Sequence, residues 1–118
     1  VSDCFKELAA PFLPQLGKPE IRCHRFCANE RGDIESCIYA GRTNKADVVT
    51  AFHAEGSRTL AIGDAFNDLA MLREATLGIL FRPSLETARH AADLPCAETY
   101  EEAKGIIGRA TESGIFGI

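Results

Sequence analysis

Apolar positions along the chain fall into short runs and spaced stripes, with polar and turn-forming residues between them. Thr59 to Ile62 is an apolar run that predicts a buried strand ending at Gly63. Beyond it, Leu69, Met71 and Leu72 form the inner face of a helix opened by Asn67 and Asp68 and ending near Ala75. Leu77 to Phe81 predicts a second short buried strand. Ser84 is a plausible cap for a helix through Ala92, and Leu94 to Ala97 allows a very short strand. Thr99, with Glu102 three residues later, has capping-box spacing ahead of a helix from Tyr100 to about Ala110. Residues 113–118 form a tail whose order depends on packing.

The first third of the chain is patterned differently. Val1 to Phe5 reads as the end of a strand and the turn after it. Leu8, Phe12 and Leu16 lie on one stripe of a predicted helix over Phe5 to Leu16, which Pro11 and Pro14 disturb. Ile21 to Ala28, the turn Asn29 to Asp33 and Ile34 to Ala40 predict a hairpin. Residues 41–44 form a loop into a helix from Lys45 to His53, with Val48, Val49 and Phe52 inward and Gly56 closing it. Strands alternating with helices in the second half predict an α/β fold with a mainly parallel sheet.

Chemistry concentrates at the end of the Thr59–Ile62 run. Asp64 stands where the strand stops, and Asp68 follows four residues later. Both can point into the crevice beyond the strand's carboxyl end, where open α/β sheets bind ligands. A hard cation such as Mg²⁺ takes one or two carboxylates there, with water and phosphate completing its shell. Plainer roles exist: Asn67 as a helix cap and Asp68 as an anion at the positive end of the helix.

Composition narrows the classes. The 118 residues suit one modest domain, and a formal charge of −4 without a basic block disfavours nucleic acid and acidic membrane surfaces as partners. No apolar run is long enough to cross a bilayer, and the N-terminus lacks a secretory signal pattern. Cysteines 4, 23, 27, 37 and 96 are odd in number and lack C-x₂-C spacing. Cys23, His24 and Cys27 invite a metal reading, but strand alternation sets His24 on the face opposite the two thiols. Buried free thiols behave as small hydrophobes, and this usage fits a reducing, cytoplasmic location.

Gly63-Asp64-x-x-Asn67-Asp68-x-x-Met71-Leu72 resembles the fourth motif of the haloacid dehalogenase-like hydrolases, in the version used by phosphoserine phosphatases, including those that also act as homoserine phosphotransferases. Val1-Ser2-Asp3 resembles the second motif and Lys45 the third-motif lysine. The Gly78-Ile79-Leu80-Phe81 strand recurs in the same order. The resemblance runs from Val1 to about Arg109. It implies that Ser2, Lys45 and Asn67 contact the phosphate, that Lys45 neutralises the transferring phosphoryl group, and that Asp64 ligates Mg²⁺. Asp68 completes or orients the metal shell. Without the resemblance, Ser2 is a solvated hydroxyl and Lys45, beside Asp47, part of a wet helix face. Arg22, Arg25 and Arg42 are candidates for a substrate carboxylate, and Phe66 for the pocket lining.

The resemblance also implies an aspartate nucleophile in an Asp-x-Asp motif on the first strand. The aspartates here are 3, 33, 47, 64, 68 and 93, and no Asp-x-Asp occurs. The expectation is therefore a haloacid dehalogenase-like, Rossmann-like three-layer sandwich that is incomplete. It holds the family's strands 3, 4 and 5 plus a hairpin, with the two central strands of its 5-4-1-2-3 order missing. Residues 1–118 would be the C-terminal part of such a core domain, inactive alone, with its sheet edges covered by the missing N-terminal half, by self-association or by a rearranged sheet. The substrate would be a small phosphorylated metabolite. The alternative is a non-catalytic binding or oligomerisation module that keeps the acidic crevice; a phosphoacceptor receiver domain does not accommodate the hairpin.

Overall fold

The computed structural model describes residues 1–39 and 44–117, which divide into two compact units, Val1–Asn44 and Lys45–Ile118. The strands form two separate sheets: a two-stranded antiparallel hairpin and a three-stranded parallel sheet. This is the incomplete α/β, Rossmann-like arrangement that the sequence predicts.

The second unit holds the parallel sheet and the core. Strands β3 (Leu60–Gly63), β4 (Leu77–Phe81) and β5 (Cys96–Ala97) lie in that order. In register, Leu60 pairs with Leu77, Ile62 with Ile79, and Leu80 with Cys96. Successive side chains point to opposite faces of a strand, so the sheet has two apolar surfaces. On one, Ala61 and Leu80 join Val49 of helix α2 (Lys45–Ala54) and Leu69, Met71 and Leu72 of helix α3 (Leu69–Glu74). Ala91, just past helix α4 (Leu85–His90), completes that cluster. On the other, Leu77, Ile79 and Ala97 pack against Ala103, Ile106, Ile107 and Ala110 of helix α5 (Tyr100–Glu112). Helix, sheet and helix make three layers.

Local chemistry explains where these elements start. Ser84 Oγ accepts from the Thr87 amide, and Thr99 Oγ1 from that of Glu102, so both predicted caps form. The reciprocal Glu102 carboxylate reaches the Glu98 amide, one residue before the cap. Helix α4 stops at His90 rather than Ala92. Gly78 is required by packing: a Cβ there would stand 2.0 Å from the Leu72 carbonyl oxygen. The end of α3 therefore rests directly on the β4 backbone.

The strand after Thr59 is buried on one face only, with Ala61 covered and Leu60 and Ile62 left 42% and 47% exposed. Leu60 and Ile62 share the face of Leu77 and Ile79, but α5 covers β4 and β5 without extending over β3. Phe52 is likewise exposed rather than inward, while Val49 is buried and Val48 half-buried.

In the first unit, β1 (Arg25–Ala28) and β2 (Ile34–Ile38) form the predicted hairpin, with a register shift between Cys27 and Ala28. Asn29 Oδ1 accepts from the Arg31 and Asp33 amides, and Gly32 takes a φ of 86° to complete the turn. Residues 21–24 lie outside that ladder. They run parallel to the N-terminal segment instead: Ser2 donates to the Arg22 carbonyl, His24 to that of Cys4, and Lys6 to that of His24. The predicted helix over Phe5 to Leu16 is broken into α1 (Lys6–Ala9) and a 3₁₀ turn at Leu13–Leu16. Pro11 and Pro14 cannot donate into a continuous helix, and Leu8, Phe12 and Leu16 are exposed. Ala40, the loop 41–43 with Arg42, and Ile118 lie outside the described residues.

Candidate active site

The parallel strand β3 delivers Asp64 to the carboxyl end of the sheet. Ala65 is extended, a 3₁₀ turn covers Phe66–Asp68, and α3 follows directly. Asn67 therefore lies inside the turn and is exposed, rather than acting as its cap. Leu69 and Leu72 anchor the helix in the core, and this fixes the turn above them.

Asp68 organises the turn. It is 5% exposed. Its Oδ2 accepts from the backbone amides of Asp64 and Ala65, each at 3.2 Å. Its Oδ1 receives the Lys45 ammonium at 2.7 Å, and that side chain is itself only 16% exposed. The carboxylate thus brings together the start of α2 and the turn after β3, 23 residues apart. Room for it comes from Gly63, where a Cβ would lie 2.6 Å from Asp68 Cβ and 2.7 Å from Oδ2. The glycine before Asp64 is a space requirement as well as a strand end. The motif spacing alone did not disclose the Lys45–Asp68 pair, because nothing in one dimension links positions so far apart.

Asp64 is exposed, and among the described residues no donor binds its carboxylate. Phe66 is exposed as well, its ring edge-on to His90 at a centroid distance of 5.5 Å. Lys45, Asp64, Asn67 and Asp68 are thus brought to one strand end. Ser2 belongs to the first unit, where its Oγ accepts the Cys4 amide at 3.1 Å. A hydroxyl that accepts in this way still has its O–H to donate.

Among the described residues no group of three His, Cys, Asp or Glu side chains is arranged to hold a metal ion. That applies to the Cys23, His24, Cys27 reading as well as to the acidic turn. The donor chemistry at the turn is one exposed carboxylate, Asp64, beside a second whose oxygens already carry an ammonium and two amides. Such a set fits a hard cation that takes one or two carboxylates and completes its shell with water and phosphate. It does not fit a cage built from this chain alone.

A family described as haloacid dehalogenase-like hydrolase matches residues 6–107. A phosphoserine phosphatase from Pseudomonas syringae pv. tomato is 36% identical over 104 residues, covering 88% of this chain and 44% of that protein. Phosphoserine phosphatase ThrH from Pseudomonas aeruginosa is 34% identical over 104 residues, 88% of this chain and 51% of that protein. A phosphoserine phosphatase from Streptomyces coelicolor is 32% identical over 120 residues, 96% of this chain and 28% of that protein. The chain spans about half the length, or less, of the curated relatives it matches. Among the described residues no helix is long and apolar enough to cross a membrane.

Proposed function

The chain belongs to the haloacid dehalogenase-like hydrolases, and from that premise we propose that residues 1–118 are the C-terminal part of a phosphoserine phosphatase-like core domain. Joined to an N-terminal half that brings the Asp-x-Asp nucleophile, it hydrolyses a small phosphomonoester, with phosphoserine as substrate and homoserine as a further phosphoryl acceptor. Alone, the 118 residues are inactive. The reading places the enzyme in the cytoplasm, in keeping with five free cysteines.

The observation that carries it is the Lys45–Asp68 pair held at 2.7 Å beside the exposed Asp64. Asp68 holds the ammonium of Lys45 in a fixed position, so that it meets phosphoryl oxygens without reorganising. Asn67 offers an amide N–H to the same phosphate. Ser2 keeps the phosphate-binding role that the likeness of Val1-Ser2-Asp3 to the second motif implies. Asp64 is the carboxylate that would hold Mg²⁺, and Asp68 orients the turn on which Asp64 sits. Bound there, the ion would polarise a phosphoryl oxygen.

The test is release of phosphate from phosphoserine, with and without Mg²⁺, by the 118 residues and by the full encoded protein. The expected result is Mg²⁺-dependent turnover by the full protein only. Lys45→Met and Asp64→Asn in the full protein should each lower kcat/KM by about a hundredfold or more, the scale of losing a preorganised charge in a reaction site. A full protein without an Asp-x-Asp strand and without turnover would leave the binding-module alternative.

A further inference from the structure

Cys4 and Cys23 face each other across the parallel pairing of the first unit. His24 donates its amide to the Cys4 carbonyl at 3.0 Å, and Lys6 donates to the His24 carbonyl at 2.8 Å. These bonds pair Phe5 with His24, which sets Cys4 opposite Cys23 one residue earlier, with both side chains on the same face. Adjacent strands lie about 4.8 Å apart, inside the roughly 4.4–6.8 Å Cα separation a disulfide spans. Both residues are half-buried. The other cysteines lack such a partner by register. Cys27 pairs with Ser36 and Cys37 with Phe26, so Cys27 and Cys37 point to opposite faces of the hairpin. Cys96 lies in β5 of the second unit.

We propose that Cys4 and Cys23 are a modification site, a dithiol that closes to an intrachain disulfide by exchange with a low-molecular-weight disulfide. A Cys4 thiolate attacks one sulfur of the oxidant RSSR, forming Cys4–S–SR and releasing RS⁻, which takes up a proton from solvent. Cys23 then loses its proton and attacks Cys4 Sγ, breaking the bond to SR and releasing a second RS⁻, protonated in turn to RSH. Two protein thiols are oxidised to one disulfide while RSSR is reduced to two RSH. Burial, followed by the charge of Cys4, pushes the Cys23 thiol up. The thiolate is the nucleophile, so exchange quickens as pH rises into the thiol range. Cys4 also donates its amide to Ser2 Oγ, so closure braces the turn that presents Ser2. An effect on phosphate handling rests on the phosphatase reading; the cross-link does not.

The 118-residue chain is incubated natively with oxidised glutathione, free thiols are alkylated, and the unreduced digest is analysed by mass spectrometry. The expected product is one dominant linkage between the peptides carrying Cys4 and Cys23, reversed by dithiothreitol and lost in C4S and C23S. The triple variant C27S/C37S/C96S keeps both relevant thiols intact. It should form the same linkage, which guards against a C4S or C23S chain that merely unfolds. Glutathione adducts on Cys4 and Cys23 without a cross-link, or linkages scattered over the five cysteines, overturn the proposal. Linkage in a chain whose full protein shows no phosphatase turnover would sink the phosphatase reading and leave the dithiol site standing.

Discussion

With Oδ1 on the Lys45 ammonium and Oδ2 on two backbone amides, Asp68 takes three hydrogen bonds out of the turn if it is removed. Breaking a buried pair from one side costs about 3–5 kcal/mol, so Asp68→Ala should lower the unfolding free energy of the chain by that amount in urea titration. Asp64→Asn, four residues away but exposed, should change it by no more than about 0.5 kcal/mol. Equal losses for the two would contradict the division of labour drawn between them. Gly63→Ala forces a Cβ against the Asp68 side chain and should cost about 1–3 kcal/mol, as over-packing does. The same change should cost clearly less in an Asp68→Gly background, a non-additivity that a double-mutant cycle reads directly. The placement of Asp64 and Asp68 beyond a strand end was legible in the sequence, because the apolar run from Thr59 stops at Gly63. The internal bonding of the turn was not. Spacing shows that Asp64 and Asp68 share a turn, but not which of them points inward, and it carries no trace of a partner at position 45.

Elements with strong local signals appear where the sequence put them. Thr99 and Ser84 cap their helices, Gly56 closes α2 at a φ of 84°, and the unbroken Leu77–Phe81 run is the buried central strand. The helix predicted over Phe5 to Leu16 failed because two prolines outweigh one apolar stripe, and a stripe says nothing of what covers it. The contact of α3 with β4 makes a sharp prediction. Gly78→Ala would put a methyl group 2.0 Å from the Leu72 carbonyl. Backbone cannot yield as a side-chain tip does, so the loss should reach or exceed the upper end of about 1–3 kcal/mol, seen as a lowered urea midpoint. The clasp between α3 and the end of α4 titrates. Arg73 makes a bidentate contact with Asp93, at 3.0 and 2.9 Å, and also donates to the His90 carbonyl. Its hydrogen bonds hold the Asp93 carboxyl below its ordinary value of 3.8. A folded pKa below the unfolded one stabilises above that value and loses the benefit as pH falls through the folded one. Asp93→Asn should therefore flatten the acid limb of the stability–pH curve below about pH 3.8. Because the pair is exposed, the change should be small and should shrink further in salt. An unchanged acid limb would remove the clasp from the account.

At the scale of the molecule, burial is uneven. The buried hydrophobic residues, from Val49 to Ala103, all belong to the second unit, and no described residue of the first is fully buried. The second unit has a sheet with helices on both faces, β3 alone being covered on only one. The first has a hairpin and a short parallel pairing, and two-stranded sheets are marginal by themselves. The alternation of strand and helix made the layered half legible, whereas the stripe of Leu8, Phe12 and Leu16 gave no sign that it would stay exposed. Local opening free energies range from near zero to the global value according to such differences. Native-state hydrogen exchange should find the amides of Ala61, Gly63, Ile79 and Leu80 among the last to exchange, at the global limit. Those of β1 and β2 should exchange much earlier, through openings that leave the parallel sheet intact. If both sets exchanged together at the global limit, the two units would unfold as one. The thin packing of the first unit would then be no guide to its stability. If they separate, the Ser2 turn lies on the weaker scaffold and the Asp64–Asp68 turn on the stronger. Destabilising substitutions in the first unit would then lower protection around Ser2 while leaving the Lys45–Asp68 pair in place.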